Sequence, residues 1–394
     1  MIDPSWQRVY GARIDDLHLP ASQAGRRELM ARYGTDGYFL LEQAHGPGAP
    51  GWLRELPAVQ ALRRIWIQQF YREVTGGRQE VRRREKLPGG DGLPPGRDCL
   101  ISPYDLDARY SVKRDHGWGG YKVHFTETCD APGAQAGASR DTGPAPAAGP
   151  GRGDRPNLLT GVATTEATVP DSAMLTPVHQ QLEERHLLPG EHLAGSGYPS
   201  AELIIHAARV FGITLVSPLR LDNSTQARAG AGYDKAAFAF DFDARQATCP
   251  QGIASSAWTP CRQRQDEAIV VSWPATACAP CPARQLCTSS RRRQITIRPR
   301  ELHEALASAR TQQTSAQWKA RYNARAGIEG TMRQATHVTG IRRARYLGLP
   351  KTQLEHNIAA AAINMIRMDA YWTGHPLDRT RSSHLARLDF TLTA

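Results

Sequence analysis

Between residues 131 and 156 the chain reads APGAQAGASRDTGPAPAAGPGRGDRP, a run of Ala, Gly, Pro and short polar residues with almost no apolar surface to bury. Such a tract cannot offset the entropy of ordering, so it reads as a disordered loop, and any core must come from the sequence on either side. Upstream, WLRELPAVQALRRIWIQQFYREV (52–74) repeats apolar residues at helical spacing, and GYKVHFTETCD (120–130) alternates Tyr121, Val123 and Phe125 as a strand does. Downstream come a strand in NLLTGVATTEAT (157–168) and a helix in SAMLTPVHQQLEERHLL (172–188) that Asp171 or Ser172 could cap. Next are the strand–turn EHLAGSGY, the helix SAELIIHAARVFG and the strand ITLVSPL (213–219). Residues 222–300 change to short strands and cysteines, and helices return over 300–335 and 354–372. This order fits a mixed α/β sheet covered by helices, and it contains no internal repeat.

A chain of 394 residues at 40% hydrophobic content can bury one large core or two modest ones. Its net charge of +11 is concentrated in arginine runs, RRR at 82–84, RRR at 291–293 and RRAR at 342–345. Guanidinium forks suit phosphates, so a polyanion is the expected partner. No stretch approaches the roughly 20 apolar residues of a membrane span, and the first residues lack an apolar signal core. The expectation is therefore a cytoplasmic protein without a membrane partner.

Seven cysteines are too few for a disulfide scaffold, and five fall between 249 and 287. Cys249, Cys278, Cys281 and Cys287 make up a tetrahedral set for structural Zn²⁺, with the two-residue gap in CAPC letting both sulfurs face one ion. Cys261 is an alternative fourth ligand, and reduced free thiols are the plain alternative to zinc. Cys99 and Cys129 read as ordinary buried thiols. In YNARAGIE, Tyr322, Arg325 and Glu329 lie three and four residues apart and so share one helix face. Taken alone, Glu329 reads as a surface partner of Arg325.

Four blocks sharpen this reading: SPYDLDARYSVKRDHGWGGYKVHFTETCD, TTEATVPDSAMLTPVHQQLEE, HLAGSGYPSAELI and RYNARAGIEGTMRQATHVTGIRRARYLGLPKTQLEHN. Together, from about residue 100 to 370, they resemble a bacterial insertion-sequence transposase of the DDE type. Residues 1–75 resemble the middle of such a protein, so the resemblance also implies N-terminal truncation. The implied fold is α/β, a ribonuclease H-like mixed sheet flanked by helices with a β-rich, cysteine-containing insertion. The implied division is a remnant helical region (1–99), the first part of the catalytic domain with its disordered loop (100–221), the insertion (222–300), a helical completion (301–375) and a tail (376–394).

The resemblance further implies two Mg²⁺ or Mn²⁺ ions held by three acidic side chains for phosphodiester chemistry. The first acid maps to Asp130, with Asp105 and Asp107 as less favoured substitutes, and the last maps to Glu329. The family's signature of Tyr, Arg, Glu and Lys is met by Tyr322, Arg325 and Glu329, but Thr336 holds the lysine position and Arg333 is offered as the phosphate contact instead. The second acid belongs where this chain has Gly195, in LAGSGY. Glycine offers no ligand; Glu191 and Glu202, four and seven residues away, sit at a strand start and inside a helix. The expectation is therefore an inherited transposase fold with a disabled centre.

Arg342, Arg343, Arg345 and Lys351 are expected to bind DNA phosphates rather than read bases. The expected partners are transposon ends and target DNA, with a homo-oligomer and nucleoid association. Trp118, Tyr121 and Trp318 could stack on a flipped base, although core packing is the commoner fate of such rings. The alternatives to an active enzyme are a non-catalytic DNA-binding relic and a zinc-stabilised nucleic-acid-binding protein.

Overall fold

The computed structural model describes residues 5–11, 19–85, 92–113, 115–129 and 156–374. The tract 131–156 and Asp130 therefore lie outside the described residues, except for Pro156. The chain is a mixed α/β protein of helices and several small sheets, arranged as two compact units. One comprises residues 1–123, 164–169 and 343–356, and the other 124–163, 170–342 and 357–394. Among the described residues no helix is long and apolar enough to cross a membrane.

In the first unit the helix Gln23–His45 is capped by Ser22, whose Oγ accepts from the Gly25 N–H. Gly37 is required there: a side chain at this position would overlap the Trp66 indole, whose Nε1–H donates to the Gly34 carbonyl at 2.9 Å. The single helix expected over 52–74 is not formed. Pro57 starts a new helix, Pro57–Gln69, after the short Gly51–Glu55, because proline suits a first helical turn but cannot continue one. Phe70 then opens strand β1 (Phe70–Thr75), which pairs antiparallel with β2 (Arg78–Arg83). The basic run at 82–84 is partly neutralised within this hairpin, since Arg82 pairs with Glu73 at 2.7 Å.

Strand β3 (Arg109–Lys113) pairs antiparallel with the start of β4 (His116–Glu127), and β5 (Leu159–Glu166) completes a sheet of order β3-β4-β5. In the second unit, a 3-10 turn Asp171–Met174 leads into the helix Leu175–Glu184, with neither Asp171 nor Ser172 as its N-cap. Strand β6 (Glu191–Leu193) runs parallel to β7 (Thr214–Val216). The intervening helix Ala201–Phe211 starts on Ser200, whose Oγ accepts from the Leu203 N–H, and stops at Gly212 in the left-handed region. Ala207, Phe211 and Ile213 bury the inner face of this strand–helix–strand segment.

The cysteine-rich region has its own core. Strands β8 (Ala239–Asp241) and β9 (Gln246–Thr248) form a hairpin, and β10 (Ala257–Gln263), β11 (Asp266–Ser272) and β12 (Gln294–Ile297) form an antiparallel sheet. Phe238, Ala247, Val271, Trp273, Ile295 and Ile297 are buried between them, with Cys249, Cys278 and Cys287 packed alongside. The continuous helix expected over 300–335 is instead segmented into Arg300–Gln312, Ala316–Asn323 and Gly327–Gln334. Ser315 caps the second piece, a 3-10 turn Ala324–Ala326 joins it to the third, and a π-helical turn Ala335–Thr339 follows, ending at left-handed Gly340. The last helix is Leu349–Trp372.

Candidate functional site

The turn after β6 is where the sequence left a gap. Strand β6 ends at Leu193, the Ala194 N–H donates to the Val216 carbonyl, and the chain turns through Gly195–Tyr198 with the Tyr198 N–H on the Gly195 carbonyl at 3.0 Å. The Ser217 hydroxyl donates to that same carbonyl at 3.0 Å, pinning the turn from β7. Two helical residues one turn apart face it. Arg321 forms an ion pair with Glu191 on β6, and Arg325 lies against the turn itself. A Cβ added at Gly195 would stand 3.3 Å from Nη2 of Arg325. Arg325 in turn donates from Nη1 to Glu329 Oε1 at 3.1 Å.

Arg325 thus lies against Gly195 on one side and Glu329 on the other, and the nearby glutamates are also paired. Glu191 is held by Arg321, and Glu202 lies 3.6 Å from Arg298, so both carboxylates already have guanidinium partners. The two substitutes named for the first acid are structural. Asp105 is buried; burial pushes its carboxyl up, but hydrogen bonds from Tyr121 and from the Gly348, Ala108 and Asp107 amides outweigh it and hold the group below its ordinary value. Asp107 accepts from the Leu349 N–H at 2.8 Å and so caps the last helix.

Sequence reasoning missed two neighbours of the turn. A Cβ at Gly197 would stand 3.0 Å from Oδ2 of Asp171, so this carboxylate lies against the same turn. His124 on β4 meets the Tyr198 hydroxyl through Nδ1 at 2.6 Å. Burial, then Asp171, push the Tyr198 hydroxyl up to about 12 while Arg325 opposes them, which keeps it neutral. The alternation of Tyr121, Val123 and Phe125 was legible and leaves His124 on the opposite face of β4; that His124 meets residue 198 was not.

A further buried group stands at the end of β4. Glu127 pairs with Arg367 at 3.1 Å, and Thr331 donates to Glu127 while accepting from Arg367, each at 2.5 Å. The remaining candidates are dispersed. Tyr322 stacks on Trp318 with ring centroids 4.9 Å apart. Arg333, Arg342, Arg343, Arg345 and Lys351 are exposed, and Arg345 shares Glu355 at 3.8 Å. Tyr121 is occupied by Asp105, while Cys129 is exposed and Cys99 half-buried rather than both being core thiols.

The described donors do not fit a two-metal centre. Residue 195 offers no side-chain oxygen, Glu329 is exposed and engaged by a guanidinium, and among the described residues no group of three or more His, Cys, Asp or Glu side chains is arranged to hold a metal ion. A divalent cation between residues 195 and 329 would also face the Arg325 charge at close range. What the arrangement offers is a cationic group at the end of a parallel strand pair, suited to contacting a phosphate oxygen.

Residues 248–369, about a third of the chain, match the family described as transposase DDE domain. That segment is similar to the family and supports a transposase function in general; it contains Glu329 and the cysteines Cys249 to Cys287, whereas residues 130 and 195 lie before it. No curated protein and no solved structure matches the chain.

Proposed function

We propose that this chain is a DDE-type transposase of a bacterial insertion sequence, built on a ribonuclease H-like domain, whose centre lacks its second carboxylate. In this reading it binds DNA, at transposon ends or target sites, without cutting it. The observation that supports the proposal is that Arg325 touches both the Gly195 turn and Glu329, the two positions that the resemblance assigns to the second and third metal-binding acids, and one of them is a glycine. The family match over 248–369 and the +11 charge support the DNA partner. Asp130 is retained as the first acid.

Losing a bridging carboxylate removes charge stabilisation worth several kcal/mol in such chemistry, so cleavage should fall by orders of magnitude. The test is strand cleavage of transposon-end DNA with Mg²⁺ or Mn²⁺, joined to Mn²⁺ calorimetry on the native chain, Gly195→Asp and Gly195→Asn. No cleavage by the native chain and tighter Mn²⁺ binding only in Gly195→Asp are expected. Cleavage by the native chain would overturn the disabled centre, and equal affinity in all three would overturn the mapping of residue 195.

A further inference from the structure

The cysteines of the β-rich region fall into place around one cavity. Cys249 follows β9, Cys278 ends the short helix Ala275–Cys278, Cys281 follows three residues later, and Cys287 ends the helix Arg284–Cys287. All four line a single cavity of about 40 Å³, with Trp273 and Arg293 among its other walls. That is room for one ion, since a water-sized group needs only about 10–15 Å³. Cys261, on β10, is not part of the lining.

The arginine supplies an independent sign. Nη1 of Arg293 donates to the Cys287 carbonyl at 2.9 Å and Nη2 to the Tyr233 carbonyl at 3.3 Å, yet its Nε–H is buried with no hydrogen-bond partner among the described residues. A buried cationic donor left open costs free energy unless an acceptor is supplied, and thiolate sulfur is an acceptor. Burial pushes the Cys287 thiol up; Arg293 opposes this, and the nearby Cys278, Cys249 and Cys281 add to it.

We propose that Cys249, Cys278, Cys281 and Cys287 bind one structural Zn²⁺, with Arg293 donating to a ligating sulfur. On binding, four S–H bonds break, four Zn–S bonds of about 2.3 Å form, and four protons pass to solvent; no electron is transferred. The four-thiolate complex carries two net negative charges, and the Arg293 guanidinium offsets part of that charge inside an apolar wall. As they stand the four side chains do not form a ready-made metal-holding group among the described residues, so binding requires the sulfurs to draw inward from the cavity walls they line. A closed tetrahedral set leaves no open position, so the role is structural: it ties β9 to the segment that leads into β12. This inference stands whether or not the chain transposes DNA.

The experiment uses the full chain, purified reduced and without chelator, with metal content measured by mass spectrometry. About one zinc per chain is expected, with a lower thermal midpoint after chelation that added zinc restores. Cys261→Ser should keep the metal, and Cys281→Ser should lose it. If Cys281→Ser does not fold, Co²⁺ titration of the native chain still decides, because four thiolates give tetrahedral cobalt strong visible bands. A zinc-free reduced preparation whose midpoint ignores chelator and zinc, or cobalt binding without that spectrum, would overturn the site.

Discussion

Nη2 of Arg325 stands 3.3 Å from the place where a Cβ on Gly195 would sit, and its Nη1 is bonded to Glu329. The turn backbone does not require glycine, because residue 195 is not in the left-handed region. The contact is with the end of a flexible side chain that can shift by a few tenths of an ångström. Gly195→Asp is therefore expected to gain an ion pair and to lose unfolded-state freedom, together about 1 kcal/mol. Urea unfolding at low and high salt should show that gain shrinking with salt, while Gly195→Asn keeps only the salt-independent part. If Asp and Asn behave alike at both salts, Arg325 does not face residue 195.

The buried group at the end of β4 should dominate stability. Glu127 and Arg367 have side chains only 6% and 14% exposed, so Arg367→Met leaves an uncompensated carboxylate. The expected cost is about 3–5 kcal/mol by urea unfolding. The double variant Glu127→Leu/Arg367→Met should recover much of it. A single variant costing under 1 kcal/mol would contradict this pairing.

Acid should weaken the protein through two histidines. His179 Nε2 and His192 Nδ1 lie 2.9 Å apart in the second unit, and burial lowers each to about 4, with His192 adding to the effect on His179. Both rings are neutral in the folded chain, whereas in the unfolded chain they titrate near 6.5. The unfolded state therefore binds more protons between those values: this stability is complete above about pH 6.5 and declines as pH falls toward 4. The loss is on the order of a few kcal/mol for the pair. The urea midpoint of His179→Leu/His192→Leu, measured from pH 7 to 4.5, should fall less steeply than that of the native chain; parallel slopes would rule the pair out.

DNA affinity should fall steeply with salt and depend little on sequence. Replacing Arg342 and Arg343 by Glu, at exposed positions after Gly340, should weaken binding uniformly across sequences and lower the log–log salt slope by about 1 for each phosphate no longer neutralised. Gel shifts across a salt series measure both. An unchanged slope would remove these residues from the interface.

Local chemistry was readable from the chain. The helix Ala201–Phe211 begins at the Ser200 cap and ends at Gly212, as polar-oxygen and glycine boundaries dictate, and the four cysteines that the spacing grouped all line one cavity. What could not be read was chemistry assembled across distance. Arg367 answers Glu127 from 240 positions away, and Asp171 turns from its expected cap to the Gly197 turn. Periodicity also overreached: apolar spacing continues through Pro57 and Phe70, but the missing N–H of proline and the pairing of β1 with β2 end the helix there. Over 300–335 the same pattern gave no sign of the break at Ser315 or the 3-10 turn at 324–326.

The open slot at residue 195 has a genetic meaning. Aspartate and glycine codons can differ at a single base, and here the backbone angle, the pinned carbonyl and the yielding arginine tip all accept the larger residue. On the function proposed above, a glycine that arose here from an aspartate codon by one transition could be reversed by another, in a way that a collapsed turn or a filled pocket would not allow.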